Sequence, residues 1–269
     1  MPDTMPAPSP IYRFGDSRIE PHAGRYSKIE LEITLRCNYQ CFGCNRLVGQ
    51  FDLPESDMTL EQIGRFTDDV RSLPFGLEYI TVMGGEPLVH PRFDAILEML
   101  HEELVSPGMV GRLVLCSNGL KAPTRLVRQL NVEERTASHI RHKRHANFYQ
   151  SPADNGWPIK SKCHIPDVWC GIALNAWGYW PCGPGSSLAR LFHWPSYARH
   201  VIPTDLSTWD YAPLCRHCVH MAHERRDNID GFDLLPVLGQ SGKQLDPSPT
   251  FAQAFAQWRD QELPSYRRY

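Results

Sequence analysis

Between residues 27 and 130 one arrangement occurs three times: an apolar strand pattern, a short motif that stops it, and a run with helical spacing. "YSKIELEITLRC" alternates apolar and polar residues and places Ile29, Leu31, Ile33 and Leu35 on one face. "TLEQIGRFTDDVRSL" carries Leu60, Ile63, Phe66 and Val70 as a helical stripe, opened by a capping box from Thr59 and Gln62. "GLEYITVMGGEP" is a second strand ending on paired glycines. "PRFDAILEMLHEEL" then starts a helix at Pro91 with Phe93, Ile96, Leu97 and Leu100 as its core face. "GRLVLCSNG" is a third strand, ended by Asn118-Gly119, and "APTRLVRQL" predicts another helix. Alternation of this kind builds βα units around a parallel sheet, so the predicted fold class is α/β. In such sheets ligands bind at the carboxyl ends of the strands. Three motifs lie at those ends, which favours one shared site.

The first motif, "RCNYQCFGC", places Cys37, Cys41 and Cys44 in a C-x3-C-x2-C spacing. Three thiolates on a loop after a strand can hold three corners of a [4Fe-4S] cluster and leave the fourth iron open to a small molecule. A structural zinc ion with a fourth ligand from elsewhere is the alternative, although zinc sites normally use paired C-x2-C knuckles. In "MGGEP", Gly84 and Gly85 permit close backbone approach, and Glu86 can accept hydrogen bonds; alone, the motif would read as a strand-ending turn. Ser117 and Asn118 in "CSNG" reach toward the same edge or form a plain Asn-Gly turn.

The chain has 269 residues, a formal net charge of -2 and nine cysteines. That length suits one large domain, or a domain with a small appendage. A near-neutral balance suggests no nucleic-acid or membrane partner, and no apolar run approaches the roughly 20 residues of a membrane span. The polar, Pro-rich stretch 1–26 reads as a flexible lead-in without the apolar core of a signal peptide. A cytoplasmic location is therefore expected, where structural disulfides are rare and clustered cysteines point to metal or redox chemistry. Cys116, alone in an apolar run, reads as a small buried core residue.

A second cysteine group follows. Cys170 and Cys182 bracket the hairpin "CGIALNAWGYWPC", and Cys215 and Cys218 form a C-x2-C pair. Four cysteines are the full complement for a closed [4Fe-4S] cluster or a zinc ion, and spacing alone does not separate the two. Cys163 is left over: a substitute ligand for Cys170, a thiol that returns a hydrogen atom to substrate, or an inert neighbour. His217, His220 and His223 read as a solvated helix face. "ASHIRHKRHANFYQSPADNG" suggests two short strands around a basic turn, where Arg141, Lys143 or Arg144 could bind a phosphate or carboxylate or simply face solvent. "SLARLFHW" suggests a short helix. "FDLLPVLGQSGKQLDPSP" is loop-like, and "PTFAQAFAQWRDQEL" predicts a C-terminal helix.

At the cysteine loop, "MGGEP" and "CSNG", in that order and strand context, the sequence resembles the radical S-adenosylmethionine (radical SAM) superfamily. The resemblance is firm over residues 27–130. It implies a partial (β/α) barrel in which Cys37, Cys41 and Cys44 hold a [4Fe-4S] cluster and SAM chelates the open iron. Reductive cleavage of SAM then gives a 5′-deoxyadenosyl radical that abstracts a substrate hydrogen atom. It further implies that Gly84, Gly85, Glu86, Ser117 and Asn118 bind SAM, with the backbone of Gly43 near the adenine. The family usually has an aromatic residue at the Gly43 position; here the aromatic one is Phe42.

The late cysteines, with Gly178 in the hairpin, resemble the twitch half of a SPASM extension. That implies an auxiliary [4Fe-4S] cluster on Cys170, Cys182, Cys215 and Cys218. The expected organisation is a lead-in over 1–26, a truncated barrel over 27–160 and a twitch-like module over 161–269. Only about 33 residues separate the third helix region from Cys163, against the roughly 30 that each βα unit needs, so a full set of six units cannot fit. The expected reaction is oxidation or rearrangement of a small polar metabolite, with an external electron donor such as flavodoxin or ferredoxin. Peptide modification and a non-catalytic metal-binding protein are the alternatives.

Overall fold

The structure, a computed structural model, describes residues 12–14, 17–19, 26–39, 44–48, 55–136, 148–161, 163, 171–194, 198–206, 209, 212–222, 247–260 and 268–269. Within the expected lead-in, β1 (Tyr12–Phe14) and β2 (Ser17–Ile19) pair antiparallel. The main sheet is built from β3 (Lys28–Thr34), β4 (Tyr79–Gly84), β5 (Leu113–Ser117), β6 (Glu133–Thr136), β7 (Ile172–Asn175) and β8 (Gly178–Trp180). Its order is β6-β5-β4-β3-β7-β8. Every pair is parallel except the β7–β8 hairpin at the edge.

Between the parallel strands run α1 (Leu60–Arg71), α2 (Phe93–Leu100) and α3 (Arg125–Gln129). The Thr59–Gln62 capping box forms as the sequence predicts: the Thr59 side chain accepts from the Gln62 N–H at 3.2 Å, and Gln62 Oε1 accepts from the Thr59 N–H at 2.9 Å. α2 begins two residues after Pro91 and continues as a single π-helical turn over His101–Val105.

The strands β3, β4, β5 and β6 lie in chain order, and α1, α2 and α3 all pack into one core on one side of the sheet. The outward side chains Ile29, Leu31, Ile33, Ile80, Val82, Leu113, Leu115, Ile172 and Leu174 are buried in one apolar core. With them are Ile63, Phe66 and Val70 of α1 and Phe93, Ile96, Leu97 and Leu100 of α2. The opposite, inner face carries Glu30 and Glu32 of β3 beside Thr81 and Met83 of β4, with Val114 opposite Thr81 and Ala173 opposite Glu30; alternation adds Cys116 of β5 and Asn175 of β7. Among the described residues, four parallel strands carry the βα units. The late hairpin then adds to the other edge of β3, through Ile29↔Ile172 and Leu31↔Leu174.

α4 (Gly183–Leu191), α5 (Ala212–His217) and α6 (Pro249–Asp260) follow. Phe251 and Trp258 of α6 are buried, and the Trp258 indole N–H donates to the carbonyls of Arg190 and Leu191. At the end of the chain Tyr269 donates its N–H to the Ala176 carbonyl, and its carbonyl accepts from Gln62 and Arg65 of α1.

Three sequence readings need revising or leave the described residues. β6 is a fourth parallel strand over Glu133–Thr136, just before the stretch expected to hold two strands; residues 137–147, with the basic turn, lie outside the described residues. The histidines after Cys215 are not a solvated face. His217 lies against Phe192 and Trp194 and hydrogen-bonds Ser151 Oγ at 3.1 Å, and His220 is buried beside Phe148. The α5 segment packs between aromatic residues from distant elements, which a local pattern cannot show; His223 is outside the described residues. The loop "FDLLPVLGQSGKQLDPSP" also lies outside them, save its last three residues.

Candidate metal and cofactor site

The carboxyl ends of β3 and β4 are stitched together. Past the last register pair, Thr34↔Gly84, the Gly85 N–H donates to the Thr34 carbonyl and the Glu86 N–H to the Arg36 carbonyl, both at 2.8 Å. Gly84 has φ +144, and a Cβ on it would overlap the Thr34 carbonyl oxygen; one on Gly85 would overlap the Arg36 carbonyl. The two glycines are therefore demanded by the approach of one strand end to the other. Arg36 is anchored in turn by Asp57, at 2.8 Å, and by the Val89 carbonyl, which fixes the backbone entering Cys37.

Glu86 is fully buried, and the protein uses both its oxygens. Oε1 accepts from the Leu88 N–H at 3.1 Å and from Ser117 Oγ at 2.9 Å, and Oε2 accepts from the Asn118 N–H at 2.7 Å. The carboxylate thus clamps the end of β5 onto the end of β4. So held, Asn118 turns its amide to the cysteine loop, where Nδ2 donates to Asn38 Oδ1 at 2.7 Å and to Cys37 Sγ at 3.8 Å. The Tyr39 N–H also donates to Cys37 Sγ at 3.4 Å. Burial pushes the Cys37 thiol up, with Cys44 and Glu86 adding to it and the Tyr39 and Asn118 donors opposing. The three motifs expected to share a site do meet at one edge of the sheet.

Cys41 and Gly43, with Phe42, lie outside the described residues, as does Cys170. Among the described residues no group of three or more His, Cys, Asp or Glu side chains stands ready to hold a metal ion. Each cysteine set has a member outside that description. The donor chemistry nevertheless fits an iron–sulfur cluster: partly buried soft thiols, with amide N–H groups aimed at sulfur.

In the second set, Cys182 caps α4, its Sγ accepting the Gly185 N–H at 3.2 Å. Burial raises its thiol well above the ordinary value, and Cys218, Cys163 and Glu30 add to the shift. Cys218 follows Cys215 through a turn closed by its N–H on the Cys215 carbonyl, at 3.1 Å. Cys163 thus lies within electrostatic range of Cys182. Cys116 stands apart from the apolar core. It faces the inner side of the sheet, where burial lifts its thiol to about 11 and Glu30, Arg46, Glu86 and Arg135 all act on it. Expected as a small buried core residue, Cys116 is instead only partly buried and lies outside the apolar core, because alternation along β5 turns it away from Leu113 and Leu115.

Three residues escaped the sequence reading. Glu30 and Glu32 of β3, 5 % and 0 % exposed, form a buried ion-pair network with Arg46, 4 % exposed. The signal was there: the polar half of an alternating strand is an interior face if the sheet curls into a barrel. No helix among the described residues is long and apolar enough to cross a membrane.

Residues 31–131 match the model of the Radical SAM superfamily. The chain is 30% identical over 114 residues to GTP 3′,8-cyclase of Nitrobacter hamburgensis, covering 41% of this chain and 32% of that protein. It is 33% identical over 92 residues to a probable GTP 3′,8-cyclase of Methanocaldococcus jannaschii, covering 34% and 28%. It thus spans about a third of the length of these curated relatives. A crystal structure of BtrN in complex with AdoMet and 2-DOIA superposes with TM-score 0.44 at 18% identity, over 59% of this chain and 74% of that one. Motif order, strand context and family model agree: over residues 31–131 the chain carries a radical SAM superfamily domain.

Proposed function

We propose that the chain is a radical SAM enzyme acting on a small polar metabolite, with its reactive centre at the carboxyl edge of β3, β4 and β5. The observation that carries this reading is the convergence of Cys37, the Gly84–Glu86 turn and Ser117–Asn118, joined by the Glu86 clamp. Cys37, Cys41 and Cys44 would hold the [4Fe-4S] cluster. When bound, cluster and SAM supply one-electron cleavage of SAM and hydrogen-atom abstraction from an unactivated carbon.

The protein's own residues bind and orient. Asn118 Nδ2 donates toward the Cys37 sulfur and steadies its charge. Glu86 holds Ser117 and Asn118 in place and so acts on the site through them. The backbone of Gly84 and Gly85 offers polar groups without side-chain bulk, and that of Gly43 would do so near the adenine. A small polar substrate is supported by the inner sheet face, where Thr81, Asn175 and the carboxylates stand beside Met83, Val114 and Ala173. The curated relatives are named for a reaction on GTP, itself a small polar molecule. Oxidation or rearrangement of such a substrate is the reaction proposed.

Cys182, Cys215 and Cys218, with Cys170, would hold an auxiliary cluster, supported by the proximity of Cys182 and Cys218. Cys163 shares that neighbourhood, as a ligand or as a hydrogen donor. Anaerobic reconstitution should give about eight iron and eight sulfide per chain, and about four of each if the first site alone is filled. With a strong reductant the loaded protein should release 5′-deoxyadenosine from SAM; none from a cluster-loaded sample would overturn the proposal. Cys163→Ala separates the two roles of that thiol: a fall in iron marks a ligand, whereas an unchanged count with lost hydrogen return marks a donor.

A further inference from the structure

Arg46 lies two residues past Cys44, in a turn closed by the Leu47 N–H on the Cys44 carbonyl at 2.9 Å. Its side chain runs inward across the sheet. Nη2 donates to Glu30 Oε2 at 2.8 Å and Nε stands 2.7 Å from Glu32 Oε1, while Met83 Sδ lies 3.7 Å from Nη2. Glu32 reaches onward: its Oε2 accepts from Asn175 Nδ2 at 2.9 Å and from Ser186 Oγ at 3.1 Å. Ser186 belongs to α4, the helix that Cys182 caps. The same helix holds residue 46 twice more. Arg190, 2 % exposed, donates Nη2 to the Arg46 carbonyl at 3.2 Å. Gly183, the first residue of α4, presses on the guanidinium so closely that a Cβ there would overlap both Arg46 and the Glu30 carboxylate.

α4 therefore holds Arg46 at its backbone, at its guanidinium and, through Glu32, at its ion pair. All of these groups are buried, and a packed ion-pair network has few arrangements open to it. A shift of the Cys182 end of α4 must move Arg46, and with it the turn that ends on Cys44. We propose that Arg46 is a positioning residue that couples the two cysteine-bearing segments, fixing the Cys44 end of the first loop against the Cys182 end of α4. This inference rests on the reading of Cys37, Cys41 and Cys44 as a cluster site. A purely structural ion pair would stabilise the chain without linking the two segments.

The test uses the full chain, anaerobically reconstituted, with SAM affinity read from the SAM-dependent change in the electron paramagnetic resonance spectrum of the reduced cluster. Gly183→Ala replaces no cysteine. It should weaken SAM binding about tenfold with the iron count of the first site unchanged. Arg46→Lys keeps the charge and has a slimmer head; combined with Gly183→Ala it should restore most of the lost affinity. Fold-changes that simply multiply in the double variant would overturn the coupling, as would a Gly183→Ala protein with the wild-type spectrum and affinity. Should Gly183→Ala not fold, Ser186→Ala enters the same cycle: it removes a bond to Glu32, adds no atom, and should weaken binding about threefold. Wild-type protein that takes up no cluster would overturn the cluster reading itself, and this inference with it.

Discussion

The outer and inner faces of the six-stranded sheet share the same strands and differ in everything else. Along β3, Ile29, Leu31 and Ile33 point outward into the apolar core, while Glu30 and Glu32 point inward to Arg46 and Asn175. On β5, Leu113 and Leu115 are outward and Cys116 inward. The outer face is buried, and so are Glu30, Glu32 and Asn175 on the inner one, but by different means; Thr81, Met83 and Cys116 of the inner face are only partly buried. The outer face gains from removing apolar area from water, which tolerates any well-packed partner. The inner face is held by directional charge and hydrogen-bond pairings, each of which leaves a costly orphan if one member is lost. Stability and site geometry are thus separated across a single backbone.

The largest expected effect probes the outer face. Leu31→Ala should cost about 3 kcal/mol in denaturant unfolding and leave the iron content of the folded fraction as in wild type. Iron lost from still-folded protein would break the separation of the two faces. Glu86→Gln probes the site edge. It replaces an acceptor with a donor facing the Leu88 or Asn118 N–H and should cost about 2 kcal/mol. It should also change the cluster spectrum by releasing Asn118 from Cys37, and an unchanged spectrum would detach the clamp from the site. Thr59→Ala removes the α1 cap, far from the inner face, and should cost about 1 kcal/mol with SAM cleavage untouched.

The smallest effect concerns acid. The His90 ring, beside the Glu86 turn, accepts the Arg92 N–H on Nδ1 at 3.0 Å, so Nε2 carries the proton toward the Met58 carbonyl, 3.1 Å away. Burial pushes this imidazole below its usual value, with Arg36 and Arg92 adding to the shift and Asp57 and Met58 opposing it. The neutral ring is favoured in the folded state, so its contribution is whole above the ordinary histidine value, about 6.5, and is lost as pH falls toward the folded value. His90→Gln should therefore flatten part of the loss of stability between about pH 7 and pH 5. A denaturation midpoint whose pH dependence matches wild type would remove His90 from that account.

Much of this was legible in the linear chain because it is local. Strand alternation and the Thr59–Gln62 box depend on residues within one turn or one pleat of each other, and they appear where the spacing puts them; the helix expected from Pro91 begins two residues later, at Phe93. The sequence also determined that three motifs end three successive strands, and a parallel sheet necessarily gathers such ends on one edge. β6 escaped because its four residues, Glu133 to Thr136, are all polar, and its identity as a strand comes from pairing with β5.

Tertiary structure alone decided where the late hairpin docks, what Glu86 holds, and that Glu30, Glu32 and Arg46 form a buried network. Those contacts join residues up to 154 apart, as in the Ser186–Glu32 bond. Their energy comes from desolvated, directional pairing, which has no periodicity to read. A glutamate facing solvent and one facing a curled sheet's interior look alike in sequence, and only closure of the fold around β3 distinguishes them.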